Sequence, residues 1–121
     1  MQNLKLLFLD VDGILTDGRK IYSTKGEIIG KVFCDKDFTA ILRFKDRNIR
    51  VIFLTADENT NFAIAKNINI EFVSSRDHSG KIDKLKPALE IINSEGLDLE
   101  NVAYVGDDCF DLPLIKALKY T

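Results

Sequence analysis

The sequence is poor in the residues that build disulfide frameworks, thiolate metal sites and membrane spans. It has two cysteines, two prolines, one histidine and no tryptophan in 121 residues. Cys34 and Cys109 lie far apart and form no Cys-x-x-Cys pair, which favours reduced thiols over a disulfide or a zinc site. The amino terminus lacks a basic segment followed by a long apolar core, so neither a signal peptide nor a transmembrane helix is expected. We therefore expect a cytoplasmic protein without a membrane partner.

An excess of basic charge is also absent. Lys and Arg number 17 against 19 Asp and Glu, for a net charge of −2. Proteins that bind nucleic acids hold the phosphate backbone with clustered Lys and Arg, whereas the basic residues here are scattered among acids, so no nucleic-acid partner is expected. Apolar residues make up 45% of the chain, which is an ordinary globular composition, and the length fits a single domain with a real core.

The chain does contain an apolar run that ends in a cluster of acids. Residues 6–9 are apolar, and Asp10, Asp12 and Gly13 follow directly. Such a run is typical of a strand buried in a parallel sheet, and open α/β sheets bind ligands at the carboxyl ends of their strands. Asp10 and Asp12 are two residues apart, so their side chains start from the same side of the extended chain. Two carboxylates that share a site either hold a proton between them or bind a metal ion.

Further strand-like segments alternate with helical ones. The strand-like segments are 50–54, 70–73 and 102–105. Apolar residues recur at helical spacing in 83–95, and shorter helices are predicted around 38–48, 61–66 and 112–119. Asp83 is a suitable amino cap for the clearest of these helices and Gly96 a suitable stop. The side chains expected in the core include Phe38, Phe44, Phe53 and Phe62.

This alternation predicts an α/β fold, with a single Rossmann-like parallel sheet, flanking helices and right-handed crossovers. Between the first strand and the first helix, a Gly-containing turn at 24–26 separates two β-prone segments, 19–23 and 27–33. This pattern predicts a β-hairpin inserted after strand 1. No inserted cap domain is visible, and residues 1–121 are interpreted as a single domain.

Parallel strands end at one edge of their sheet, so the polar residues after each strand are expected to converge. Thr55 follows the second strand and Lys84 begins the clearest helix. The last strand leads into a loop that carries Asp107, Asp108 and Asp111. A phosphate ester is itself anionic, so a carboxylate nucleophile needs a cation to approach it, and hard oxygen ligands point to Mg²⁺.

In this order the residues resemble the four motifs of the haloacid dehalogenase-like phosphatases. Asp-x-Asp-Gly-x-x-Thr-Asp-Gly at 10–18 and Gly-Asp-Asp-x-x-Asp-Leu-Pro at 106–113 form a specific combination. More narrowly, the chain resembles the cap-less 3-deoxy-D-manno-octulosonate 8-phosphate phosphatase group, and the resemblance covers essentially the whole chain. It implies a Mg²⁺-dependent phosphatase that acts on the phosphate ester of a small keto sugar acid, in the biosynthesis of a surface-polysaccharide (lipopolysaccharide) sugar.

The resemblance also implies roles for the two aspartates of the first motif. Asp10 is the candidate nucleophile, which forms an aspartyl-phosphate intermediate. Asp12 is the candidate general acid for the leaving oxygen and then the general base for water. The family's metal ligands correspond to the Asp10 carboxylate, the Asp12 backbone carbonyl and Asp107.

The remaining site residues are expected to serve the phosphate and the lysine. Thr55 and Gly13 are candidates for binding the phosphoryl group, and Lys84 is expected to neutralise charge on that group and on Asp10. Asp108 and Asp111 are supporting candidates, which either hold the waters of the metal or position Lys84. His78 is interpreted as a solvated loop residue and Cys109 as a packed thiol.

Two departures from the family pattern bear on substrate and assembly. The family commonly has Gly and Arg after the second-motif Thr, whereas Ala56 and Asp57 follow here, and an acid in place of Arg should weaken the hold on an anionic substrate. Family members also continue beyond the fourth motif. We therefore expect either a truncated form or a sheet edge completed by something else, such as another subunit.

Three alternatives stay open at this point. The first concerns the hairpin. In the relatives it assembles a tetramer, so a homotetramer through residues 20–33 is expected, and the alternative is that the hairpin is a mobile flap. A catalytically weak relative that serves as an oligomeric binding module is the second. A phospho-accepting receiver domain is the third, although it would need an Asp on a middle strand, and the corresponding strand ends in Ser74.

Overall fold

A four-stranded parallel sheet forms the centre of the computed structural model, which describes residues 3–121. The strands are β1 (Leu6–Leu9), β2 (Ile21–Tyr22), β3 (Ile28–Gly30), β4 (Arg50–Thr55), β5 (Glu71–Ser74) and β6 (Val102–Val105). The helices are α1 (Asp35–Asp46), α2 (Thr60–Asn67), α3 (Leu85–Ser94) and α4 (Leu112–Ala117), with 3-10 turns at Leu99–Asn101 and Cys109–Asp111. The central sheet has the order β5-β4-β1-β6, and β2 pairs with β3 in a separate antiparallel hairpin. The predicted α/β fold and inserted hairpin are confirmed.

The sheet is covered on both faces because the strand side chains alternate. Leu6 and Phe8 pack with α3 and α4 on one face, while Leu7 and Leu9 pack with α1 and α2 on the other. All four are at most 6% exposed. Full burial of a Leu or Phe side chain contributes about 1.5–3 kcal/mol, so β1 anchors the loop that follows it to the most buried part of the core.

The clearest helix, predicted over 83–95, spans Leu85–Ser94, and Lys84 rather than Asp83 occupies its N-cap position. The Lys86 backbone N–H donates to Asp83 Oδ1 at 3.2 Å, so Asp83 serves the first turn of α3. Gly96, just past the helix, has φ +64°, a left-handed conformation that favours glycine. Asp83 thus helps to fix the amino end of α3, where Lys84 lies.

Two predicted burials are wrong. Phe62 is 48% exposed because α2 turns Asn61 and Ala65, one helical turn apart, toward the sheet, and Phe62 packs edge-on against Phe72 at the surface. Cys109 is an exposed free thiol rather than a packed one, because the 3-10 turn that carries it lies on the surface. Cys34 is also a free thiol, as predicted. None of the helices in residues 3–121 is long and apolar enough to span a membrane.

Candidate active site

The carboxyl ends of β1, β4 and β6 open onto a cavity of about 460 Å³. Its lining includes Asp10, Asp12, Thr55 and Lys84, which the sequence predicts to converge. Three of these residues are nearly inaccessible: Asp10 is 6% exposed, Thr55 2% and Lys84 4%. Buried charged groups are retained where they are paired, so the partners of each define the site.

Lys84 holds the nucleophile candidate through a buried network. Its Nζ lies 2.7 Å from Asp10 Oδ2 and 2.5 Å from Asp111 Oδ1, and it donates to the Tyr104 hydroxyl at 3.1 Å. The Tyr104 hydroxyl in turn donates to Asp111 Oδ1 at 2.6 Å. One lysine at the start of α3 thus lies between two carboxylates, one after β1 and one after β6.

The two carboxylates on Lys84 differ in their pKa. Burial raises the pKa of Asp10 above its usual value, and this outweighs the opposing hydrogen bond from Lys84. Burial acts in the same direction on Asp111, but hydrogen bonds from Lys84, Tyr104 and the Asp108 backbone together lower its pKa. Asp111 is therefore the better-stabilised anion, and Asp10 gains more from an additional cation.

An acidic cluster at this point has the composition of a magnesium site. Carboxylate oxygens of Asp10, Asp107 and Asp111 all lie within 4.8 Å of one another. Asp111 already accepts from Lys84 and Tyr104 on Oδ1 and from the Asp108 N–H on Oδ2. Its contacts favour the positioning of Lys84 over direct binding of a metal, which leaves Asp10 and Asp107 as the pair whose oxygens can converge on a cation.

Two glycines make the close approach of these acids possible. Gly13 has φ +84°, and a Cβ at this position would overlap the Asp107 carboxylate. A Cβ on Gly106 would collide with the Asp111 carboxylate and with the Tyr104 hydroxyl. The glycine of the first motif therefore leaves room for the fourth-motif acid beside Asp10.

A second lysine network surrounds Asp12, and none of the sequence motifs predicts it. The Lys31 side chain, just after β3 of the hairpin, is fully buried. Its Nζ lies 2.9 Å and 3.0 Å from the two carboxylate oxygens of Asp12, 2.5 Å from Asp57 Oδ2 and 2.9 Å from Asn61 Oδ1. Asn61 Nδ2 completes the network by donating to Asp12 Oδ2 at 3.1 Å and to Thr55 Oγ1 at 3.0 Å.

The Asp57 that departs from the family pattern is paired with Lys31 within this network. Burial opposes its ionisation, but the hydrogen bond from Lys31 and those from the Asn59 and Thr60 backbone lower the pKa of Asp57. Lys31, which it shares with Asp12, therefore offsets part of its charge, and this reduces the repulsion of an anionic substrate that the sequence alone suggests.

Three residues of these networks belong to none of the four sequence motifs: Lys31, Asn61 and Tyr104. A signal was available for Asn61, because it lies one turn before Ala65 on the inward face of α2. Tyr104 lies on the same face of β6 as Val102, which marks it as buried but not as a hydrogen-bond donor. Lys31 had no local signal, because its partners lie 19 to 30 residues away in sequence.

The other candidates lie at the margin. The Asp108 side chain is exposed, accepts from the Cys109 N–H and borders the cavity. His78 is exposed, which agrees with a solvated loop residue. Lys20 and Arg76 add positive charge to the cavity lining.

The comparison with known proteins gives a consistent set of relatives, although no family model matches the chain. The chain is 32% identical over 117 residues to the 3-deoxy-D-manno-octulosonate 8-phosphate phosphatase of Haemophilus influenzae, covering 97% of this chain and 63% of the relative. A relative of the same name from Escherichia coli K12 is 30% identical and is covered over 59% of its length. The chain thus spans about three fifths of the curated relatives it matches.

Solved structures of these enzymes have the same fold. The cobalt-bound deoxy-D-mannose-octulosonate 8-phosphate phosphatase of Haemophilus influenzae superimposes with a TM-score of 0.82 and 32% identity, covering 97% of this chain and 66% of that one. The Moraxella catarrhalis 3-deoxy-D-manno-octulosonate 8-phosphate phosphatase, solved in complex with a magnesium ion, a phosphate ion and a KDO molecule, gives a TM-score of 0.82 at 30% identity, covering 96% of this chain and 64% of that one.

Proposed function

We propose that this chain, which belongs to the haloacid dehalogenase-like phosphatases of the 3-deoxy-D-manno-octulosonate 8-phosphate phosphatase group, is a Mg²⁺-dependent phosphomonoesterase. One observation carries the proposal: Asp10 lies in a buried ion pair with Lys84, at 2.7 Å, beside a second acid at the same sheet edge. A candidate nucleophile beside a buried cation and a second acid supports phosphoryl transfer, because that reaction needs an activated nucleophile and positive charge close to the phosphoryl group.

The acids fit magnesium by their chemistry. Asp10 and Asp107 would supply carboxylate oxygens to the ion, and the family pattern implies the backbone carbonyl of Asp12 as a third hard ligand. Bound Mg²⁺ would neutralise charge on the phosphoryl group and so allow an anionic nucleophile to approach it.

The residues of the chain then divide the reaction between them. An Asp10 carboxylate oxygen attacks phosphorus, the bond from phosphorus to the ester oxygen breaks, and Asp12 gives a proton to the departing alcohol. Asp12 next takes a proton from water, which attacks the aspartyl phosphate to release inorganic phosphate and restore Asp10. Proton transfer to and from Asp12 balances over the two steps.

Thr55 and Lys84 are the groups that hold the transferred phosphoryl. The Thr55 hydroxyl accepts from Asn61, so its own proton is free to point to a phosphoryl oxygen. Lys84 Nζ, fixed by Asp111, adds positive charge where negative charge develops. Gly13 lies directly against the Asp107 carboxylate, which is the observation that supports its assignment to the phosphate site.

The substrate class we propose is a phosphorylated keto sugar acid, with 3-deoxy-D-manno-octulosonate 8-phosphate as the first candidate, in the biosynthesis of a surface-polysaccharide sugar. The names of the relatives support the sugar, and Lys20 and Arg76 in the cavity lining provide positive charge for its carboxylate.

We further propose a cytoplasmic homotetramer assembled through the hairpin at residues 20–33. Several of its apolar side chains are exposed by about half or more: Ile21, Tyr22, Ile29 and Val32. An exposed apolar patch of this kind is typical of an interaction surface. Light scattering at high protein concentration tests the assembly, and a monomer there would leave the mobile flap as the better interpretation.

The activity is tested by phosphate release from a panel of sugar phosphates, with and without Mg²⁺. Wild type should release phosphate only with the metal, and Asp10→Asn should be inactive because an amide cannot attack phosphorus. Asp17→Asn, an exposed acid of the same motif, is the matched control and should keep activity. A folded wild type that is as inactive as Asp10→Asn across the panel would favour the binding-module alternative.

A further inference from the structure

We infer that Lys31 is a positioning residue for Asp12, and that Asp57 is the anchor that holds Lys31 in place. The inference rests on the phosphatase function proposed above, and it concerns a lysine outside the four motifs. It makes the inserted hairpin part of the active-site machinery, because Lys31 directly follows β3.

The first observation is the burial of the Lys31 side chain and its charge. The Lys31 side chain is completely inaccessible, although its backbone leaves an otherwise exposed hairpin. A Lys side chain is almost never fully buried unless paired, and its ammonium would stay solvated if it pointed outward. The lysine instead crosses to the cavity edge and gives its polar contacts to Asp12, Asp57 and Asn61.

The second observation is the charge balance around this ammonium. One positive charge faces two carboxylates, at 2.9 Å in Asp12 and at 2.5 Å in Asp57. Lys31 therefore has no surplus positive charge for a substrate anion, in contrast to Lys20 and Arg76 on the open lining. This balance favours a role in holding Asp12 over a role in binding the phosphate or the sugar carboxylate.

The third observation is how Asp12 is held. Lys31 and Asn61 both donate to Asp12 Oδ2, whereas Oδ1 is buried and accepts no hydrogen bond from the described residues, although it lies 2.9 Å from Lys31 Nζ. The Lys31 ammonium thus faces both carboxylate oxygens and Asn61 holds one of them, so the orientation of the Asp12 side chain is fixed. A general acid needs this arrangement, because it must stay oriented while one oxygen exchanges a proton with the ester oxygen.

Asp57 connects the lysine to the scaffold. Its Oδ1 accepts from the Asn59 and Thr60 backbone N–H groups at 2.8 Å and 3.1 Å, at the amino end of α2, while its Oδ2 faces Lys31. Asp57, the acid that departs from the family pattern, therefore holds the Lys31 ammonium in place. It ties the hairpin lysine to the same helix that supplies Asn61, so that two donors reach Asp12 from fixed positions.

A series of aryl phosphates with leaving phenols of increasing pKa tests this role. A nitrophenolate departs without protonation, whereas a phenolate of high pKa needs the proton of Asp12. We expect Lys31→Met to lower kcat/KM by about 10- to 100-fold for phenyl phosphate but by less than about 3-fold for 4-nitrophenyl phosphate, within the range by which general acids act. The plot of log kcat/KM against leaving-group pKa should become steeper.

Matched variants separate positioning from folding and from charge. Lys25→Met changes an exposed lysine at the turn of the same hairpin and should leave the slope unchanged. Lys31→Arg keeps the charge and should recover part of the loss with phenyl phosphate. The double variant Lys31→Met/Asp57→Asn also removes the carboxylate that Lys31→Met leaves without a cation. It serves for the same measurement if the single variant folds poorly. It should have the same steep slope as Lys31→Met.

The outcomes separate the two proposals. A steeper slope for Lys31→Met and for the double variant, with an unchanged slope for Lys25→Met, supports the positioning role. Equal loss for all esters in Lys31→Met would overturn it, because that result indicates substrate binding or general disruption. No Mg²⁺-dependent phosphate release by wild type from any ester would instead overturn the phosphatase function itself, and the positioning role with it.

Discussion

The site is built from two lysine networks that differ in origin. Lys84 comes from the start of a core helix and holds Asp10, whereas Lys31 comes from the inserted hairpin and holds Asp12. Each network also contains a second acid that keeps its lysine in place, Asp111 in the first and Asp57 in the second. The two aspartates of one motif are therefore oriented by separate parts of the chain, one by a helix packed on the central sheet and one by the inserted hairpin.

The networks also differ in burial. The side chains of Asp10 and Asp111 are 9% and 0% exposed, whereas those of Asp12 and Asp57 are 28% and 16% exposed. Water can therefore compensate a lost charge more easily around Lys31 than around Lys84. The Lys84 network should therefore contribute more to the free energy of unfolding. The Lys31 network should contribute more to the proton transfer between Asp12 and the leaving oxygen.

The largest effect is expected from Lys84→Met. The substitution leaves Asp10 and Asp111 buried together without a cation, so the free energy of unfolding should fall by about 3–5 kcal/mol. Urea denaturation in the presence of a chelator measures this loss without a contribution from bound metal. Lys86→Met, two residues on and exposed, is the control and should change stability by less than about 0.5 kcal/mol.

Lys31→Met should destabilise the protein less, by about 1–3 kcal/mol, because its partners are partly solvated. Adding Asp57→Asn should recover part of that loss, since it removes one of two facing carboxylates. The same urea titrations test both variants. A loss for Lys31→Met equal to or larger than that for Lys84→Met would erase the proposed difference between the networks.

A smaller effect is expected from Tyr104→Phe, which removes one donor to Asp111 and leaves Lys84 in place. The free energy of unfolding should fall by about 1–2 kcal/mol, and phosphate release should fall modestly, because the ion pair to Asp10 remains. Thermal and kinetic measurements on one preparation check both values. Loss of all activity in a folded variant would show that the hydroxyl has a part in the chemistry.

The smallest effect is expected at the opposite end of the sheet, where Arg50 pairs with Glu71 and Glu95 on the surface. The hydrogen bond from Arg50 lowers the pKa of Glu71 below its ordinary value of 4.5, against a smaller opposing effect of burial. Its contribution is therefore present above about pH 4.5 and is lost as the pH falls through the folded-state pKa.

Glu71→Gln should accordingly reduce the free energy of unfolding at pH 7 by less than about 1 kcal/mol, because the pair is half exposed and screened by salt. The difference between wild type and variant should shrink as the pH is lowered toward 3. Denaturant titrations at pH 7, 5 and 3 measure it, and a difference that grows at low pH would contradict the assignment.

Much of the site could be predicted from sequence because its chemistry lies at strand ends. A buried strand that stops at Asp10 needs only the parallel topology to bring it near Thr55 and Asp107, and the register of β1 with β4 and β6 provides that. Asp57 was harder to interpret, because a single acid says nothing about a lysine 26 residues away. Phe62 shows the same limit in the core, since its helix is too short for periodicity to define one inward face.

The complete burial of the Lys31 side chain, beside the nearly buried Lys84, has a consequence for reactivity toward amine-directed reagents. Both amines should acylate slowly in the folded protein, whereas exposed lysines such as Lys25 and Lys36 should react at once. If Lys31 is acylated before Lys84, the hairpin separates locally from the rest of the domain while the core remains folded. Peptide mapping after timed labelling would give the acylation rate of Lys31, which measures how often this part of the chain opens locally.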